Sequence, residues 1–165
     1  MAVASAAVEF GASNLTDHGR KLIASALYSK GRSFVGASIL LRKNGGDEYV
    51  VLHLLCQGLE IILKALLLFL DYKKYDKLQR KLGHDLNKVI CAAIEGYHLH
   101  PLRPALDAEV KALSNLYSKH FLRYAGLQDI FIAPNSIEGE RTLRRLAAVL
   151  RLANRALAKS AASPV

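Results

Sequence analysis

Between Asp47 and Asp71 the chain reads DEYVVLHLLCQGLEIILKALLLFLD, and its few polar residues are the first candidates for chemistry. At 100° per residue His53, Gln57, Glu60, Lys64 and Asp71 fall within roughly 60° of one another, on a helix otherwise mostly Leu, Ile, Val, Ala and Phe. A helix that is apolar around most of its circumference must be buried around most of it. Its polar strip is then either a hydrogen-bonded structural seam or the floor of a site. Glu60 precedes Lys64 by four residues, the favoured acid-first order, which predicts an ion pair along the helix. Ionisable groups on so apolar a helix need further partners, and His84, Asp85 and Arg123 are the ones expected within reach. His84 has a local role open to it as well, capping the helix that begins beside Asp85 while bonding the seam.

A second constellation lies near the C-terminus. On a helix from about Ser136 to Lys159, the residues Arg141, Arg144, Arg145, Arg151, Arg155 and Lys159 fall within roughly 120° of the wheel. Leu143, Leu146, Leu150, Ala153 and Leu157 occupy the other side, so one face docks and the other presents cations. Such a stripe is either a solvated surface or a footprint for phosphates. Its apolar side has no aromatic residue and is needed for packing, which fits a membrane surface poorly.

Other chemistries find little support. Asn44-Gly45-Gly46-Asp47 lacks the spacing and the Lys-Ser/Thr of a phosphate-binding loop. No Cys/His cluster has zinc spacing, and His98 and His100 flank Leu99 without a carboxylate or cysteine partner pattern, so no metal or cofactor is expected. Cys56 and Cys91 lie in apolar helical patterns, which predicts buried, reduced thiols rather than nucleophiles.

The elements that must position these residues read as an all-α bundle of four to five helices. Residues 1–13 read as a flexible arm, 14–160 as a single domain and 161–165 as a flexible tail. Helix-start signals at Asn14 to Asp17 open a first helix with Leu22, Ile23, Ala26 and Leu27 on one side; Gly31 ends or interrupts it before Ser33 to Lys43. A turn at Asn44 to Asp47 follows, with Asp47 placed to cap the central helix. The stretch YKKYDKLQRKL reads as a basic connector, and Gly83-His84-Asp85-Leu86 opens a helix whose stripe is Leu86, Val89, Ile90 and Ala93. After Pro101 and Pro104 a further helix is expected from about Ala105 to Leu122, with Leu106, Val110, Leu113, Leu116 and Tyr117 inward. Arg123 to Asn135 reads as an ordered loop before the last helix.

The whole chain has 165 residues, 52% hydrophobic and 22% charged, as in one folded domain. A net charge of +9 favours acidic partners such as nucleic acid. The polar residues at 53, 57, 60 and 64 argue against a membrane span, and the N-terminus lacks a signal-peptide pattern, so a cytoplasmic protein is expected.

The run Gln57-x-x-Glu60-x-x-x-Lys64-Ala65-Leu66-Leu67, followed after the connector by Gly83-His84-Asp85-Leu86, resembles bacterial members of the HEPN superfamily. Leu122-Arg123-Tyr124 adds to the likeness, which covers about Asp17 to Tyr124. The resemblance implies an up-and-down helical bundle that pairs into a two-fold homodimer, with links to RNA cleavage, nucleotide binding and toxin–antitoxin or defence systems. The superfamily's nucleases carry Arg, four to six residues, then His, the arginine stabilising phosphate and the histidine moving protons without a metal. No arginine stands at the permitted positions before His18, His53, His84, His98, His100 or His120; Arg80 precedes His84 by one position too few.

The expectation is therefore a HEPN-like module that binds RNA or a nucleotide through the last helix and the Tyr72/Lys73/Lys74 connector, without catalysis. Two alternatives stand beside it. One is a metal-independent ribonuclease with a displaced site on His84, Arg80 or Arg123. The other is a purely protein-binding partner, for instance of a nucleotidyltransferase from the same operon. The polar seam expected in each case comprises His53, Gln57, Glu60, Lys64, His84, Asp85, Arg123 and Tyr124.

Overall fold

A computed structural model describes residues 15–120 and 122. The expected N-terminal arm, Arg123 and Tyr124, the last helix with its six cations and the C-terminal tail lie outside the described residues. Those described form five α-helices and no strand: α1 (Asp17–Lys43), α2 (Glu48–Leu70), α3 (Tyr72–Leu82), α4 (Leu86–Gly96) and α5 (Pro104–Ser118).

The central position falls to α2, which packs against each of the other four. Its bounds follow from its ends. Asp47 caps it by accepting the Val50 N–H at 3.0 Å, and Asp71 closes it. Leu55, Leu59, Ile62 and Leu66 are at most 2% exposed, as a helix apolar on nearly all sides requires. By length and composition α2 would also cross a membrane, yet 67% of its most apolar stretch is buried within the protein itself.

Three helices differ from their sequence reading. α1 runs unbroken through Gly31, for a packing reason. A methyl group on Gly31 would stand 2.7 Å from Ile62 Cγ1 and 2.9 Å from the Gly58 carbonyl, and one on Gly58 would stand 2.9 Å from the Gly31 carbonyl. The two glycines face each other where α1 and α2 approach closely, so Gly31 is a contact rather than a stop. The inward side of α1 is accordingly Ala24, Gly31 and Ser38, with Leu27 and Val35 packed alongside, while Leu22 and Ala26 face outward.

The stretch read as a connector is α3. Asp71 ends α2 and starts α3 at once, accepting the Lys74 N–H at 3.0 Å, so no loop separates the two helices. Asp71 is thereby spent on capping and does not belong to the polar seam. Tyr75 is buried, and Tyr72, Leu78 and Leu82 pack against the core beside it. α5 ends at Ser118, four residues before the expected limit, with Leu122 buried beyond it. Its inward set holds, Val110, Leu113 and Tyr117 being buried and Leu106 and Leu116 packed against the core.

The crossing makes a paired expectation. Gly31→Ala should lower stability by roughly 1–3 kcal/mol through overpacking. Gly36→Ala, on the same helix with nothing within 4 Å of the added carbon, should raise it by about 0.5–1 kcal/mol. Urea denaturation of both variants measures the contrast; equal effects would mean that α1 and α2 do not meet at Gly31.

Candidate functional site

The polar seam of α2 converges on one carboxylate. Glu60 has a side chain only 5% exposed, and it receives donors from three separate parts of the chain. Lys64 Nζ donates to Oε1 at 2.6 Å, one turn along the same helix. The Tyr117 hydroxyl, from α5, donates to Oε2 at 2.8 Å. His84, in the turn between α3 and α4, places Nδ1 3.2 Å from both oxygens. The ion pair expected along the helix is present, and His84 is among its partners.

Each donor is positioned by local structure. Gly83 takes φ 55° and ψ −140°, a backbone shape suited to glycine, and turns the chain sharply after α3. Its carbonyl accepts a second hydrogen bond from Lys64 Nζ at 2.6 Å, which pins the turn to α2. His84 is thereby held with one ring nitrogen on Glu60 while its side chain remains 66% exposed. Because an ionised carboxylate only accepts, the hydrogen on Nδ1 is the donated one, and in the neutral ring Nε2 is left as an acceptor. Tyr117 is in turn packed against His53, with ring centroids 5.6 Å apart and planes tilted at 41°.

Asp85 serves a neighbouring network instead. It caps α4 by accepting the Lys88 N–H at 3.1 Å, the role allowed to His84 in the sequence reading. It also accepts from the Ser114 hydroxyl at 3.0 Å, while Ser114 Oγ accepts the Asn87 N–H at 3.1 Å, tying α4 to α5. Partial burial acts to raise the Asp85 pKa, but the Lys88 N–H, the Ser114 hydroxyl and the Lys88 ammonium together hold it below the usual aspartate value.

Of the remaining seam residues, Gln57 is half-buried and stays out of the carboxylate network; Arg80, a candidate for a displaced catalytic site, is exposed on α3. Arg123 and Tyr124 lie outside the described residues. Tyr117, Ser114 and the Gly83 carbonyl were not expected. Tyr117 reads as an ordinary core aromatic by spacing, and only the unmet valences of a buried carboxylate hint that its hydroxyl has work to do.

The cysteines differ from one another. Cys56 is buried, and burial, reinforced by the charge of Glu60, pushes its thiol pKa far up, whereas Cys91 is exposed, contrary to the reading of two buried thiols. Among the described residues no group of His, Cys, Asp and Glu is arranged to hold a metal ion.

α3 adds a feature that a connector would not have. Lys73, Lys74, Lys77, Arg80 and Lys81 are all exposed, and at 100° per residue they share a face of roughly 120°. Lys74 Nζ lies 4.9 Å from the centre of the Tyr75 ring and Arg20 caps Tyr72 at 6.0 Å, so these two aromatics are covered by cations. The basic face runs directly into Gly83 and His84.

No protein family, curated protein or solved structure matches the chain in comparisons of sequence and fold.

The shared carboxylate is testable by a double-mutant cycle. Lys64→Ala should cost about 3 kcal/mol by stranding a buried charge, and the Glu60→Gln/Lys64→Ala protein should recover at least ~1 kcal/mol of the summed single losses. Tyr117→Phe should cost about 1–3 kcal/mol. Additive losses in chemical denaturation would show that Glu60 and Lys64 are not coupled.

Proposed function

We propose that this protein is a helical binding module for RNA, engaging the phosphate backbone through the basic face of α3. The carrying observation is the exposed row Lys73, Lys74, Lys77, Arg80 and Lys81 on a rigid helix, where only a loose connector was expected. Neutralising phosphates with lysine and arginine releases counterions, and this term supplies most of the affinity in sequence-tolerant binding. The overall charge of +9 acts in the same direction, and the six cations expected on the last helix are a second proposed set of phosphate contacts. The resemblance of Gln57-x-x-Glu60-x-x-x-Lys64 and Gly83-His84-Asp85-Leu86 to HEPN proteins supports an RNA- or nucleotide-linked role, in a toxin–antitoxin or defence setting. The absence of the nuclease motif from the sequence favours binding over cleavage. Occupied as it is by three donors, Glu60 reads as an organiser of structure rather than as a base.

The test is a salt series with single-stranded RNA. Lys77→Gln and Lys81→Gln should each flatten the log–log dependence of affinity on salt by about 0.7, with RNA left uncut. If RNA fails to bind even at low salt, the basic face is a solvated surface and the partner-protein reading takes its place. Metal-independent cleavage lost in His84→Ala would instead establish the displaced-site ribonuclease.

A homodimer is the second part of the proposal, and α1 offers the surface for it. Leu22, Ala26, Ser29, Ser33, Gly36 and Leu40 are all exposed, uncharged and spaced alternately four and three residues apart, as along a helix-packing seam. The order is close to palindromic. An antiparallel two-fold pairing about residue 31 sets Leu22 of one copy against Leu40 of the other, Ala26 against Gly36 and Ser29 against Ser33, the self-complementarity that such symmetry demands. The seam is about 27 Å long, at 1.5 Å per residue, and a single helix pair of that length makes a modest interface. Light scattering should find a concentration-dependent dimer that Leu40→Glu converts to monomer; an unchanged dimer would place the interface elsewhere.

A further inference from the structure

The binding reading leaves His84 unexplained. Its side chain is 66% exposed while its inner nitrogen is held by a buried carboxylate, so the ring is fixed in orientation and open to solvent. It also follows Arg80 and Lys81 at the end of the basic face, in a turn fixed by the Lys64 bond to Gly83. We propose that His84 is a proton-dependent phosphate contact: as an imidazolium held at Nδ1 by Glu60, it presents Nε2–H outward to a phosphodiester oxygen of bound RNA. The proposal rests on the RNA-binding reading and adds to it a contact that is present in one protonation state and absent in the other.

The chemistry follows from the ring. With Nδ1–H directed at Glu60, a neutral His84 offers only a lone pair at Nε2, which repels a phosphate oxygen; the protonated ring offers an N–H and a positive charge. Among the described residues, titratable and charged groups from four helices stand near it in space or in sequence. They are Glu60 and Lys64 on α2, the Tyr117 hydroxyl on α5 sharing Glu60, Arg80 and Lys81 in the last turn of α3, and Asp85 and Lys88 at the start of α4. Lys64 balances Glu60 within the network, so protonation of His84 adds a positive charge at the surface end of the cluster. Imidazoles as a class change charge between about pH 5 and 8. By reciprocity, RNA that prefers the protonated form must also draw a proton onto the protein when it binds.

The experiment uses the full chain and oligouridylate, whose bases do not titrate across this range, at constant ionic strength. The ratio of wild-type to His84→Gln affinity should rise by about tenfold from pH 8 to pH 5.5, the effect of one charge-assisted hydrogen bond at its weaker end. His84→Lys, always charged, should show no comparable rise on acidification. Calorimetry in buffers of different ionisation heat should find proton uptake on binding for the wild type, and less of it for His84→Gln. If oligouridylate binds through the α3 lysines but the ratio stays constant with pH, this proposal is overturned and the RNA-binding reading stands. Absence of binding at every pH overturns both. Circular dichroism of each variant separates loss of the contact from loss of the fold.

Discussion

The buried carboxylate of Glu60 is the constraint on which the rest of the structure depends. An ionised group removed from water is tolerated only when its lone pairs are met, and here the donors arrive from α2, from α5 and from the turn between α3 and α4. Apolar packing is non-directional, so by itself it specifies rotation and register less sharply than hydrogen bonds do. Hydrogen bonds to one pair of oxygens restrict both. Satisfying Glu60 therefore fixes the register of α5 through Tyr117 and the path of the chain after α3 through Lys64 and Gly83. Among the described residues of the network His84 is the exposed one, so its ring connects the buried carboxylate to the surface.

On the opposite side of α2 the organising device is the removal of bulk. Gly31 and Gly58 bring the backbones of α1 and α2 together, each glycine lying against the carbonyl of the other. A glycine inside a helix costs roughly 1 kcal/mol relative to alanine, and the close packing it permits offsets that cost. α2 is thus held by polar specificity on one flank and by steric closeness on the other. A helix clamped in these two ways is a suitable core for carrying a basic surface.

Much of this was legible in the chain, and the exceptions have physical causes. The ends of α2 could be read because an unbroken apolar run stops at Asp47 and Asp71, both good caps. The Glu60–Lys64 pair could be read because two charges on an apolar helix must find one another. α3 could not, because half of its buried side consists of tyrosines, which look polar in a stretch so rich in lysine. Gly31 was read as a break because glycine's local preference is visible in sequence, whereas the partner helix that reverses its meaning is not. Tyr117 was placed in the core, but the bond from its hydroxyl depends on how α5 is rotated against α2, a tertiary fact that no local spacing encodes. Cys91 shares a helical pattern with Ile90 yet faces outward, since an apolar neighbour in sequence lies about 100° away around the helix.

The joint at Asp71 has a mechanical meaning. Most neighbouring helices in compact proteins are separated by several residues of loop, which absorb small displacements and accept inserted residues. Here one amino acid ends α2 and begins α3: its N–H donates to the Leu67 carbonyl of the first helix, while its carbonyl and side chain accept the Tyr75 and Lys74 N–H groups of the second. The cationic helix is therefore a lever welded to the core rather than a flap hung from it. The same joint leaves no room for added length, whereas the Asn44-Gly45-Gly46 turn at the other end of α2 is the natural place to splice in a tag or a reporter.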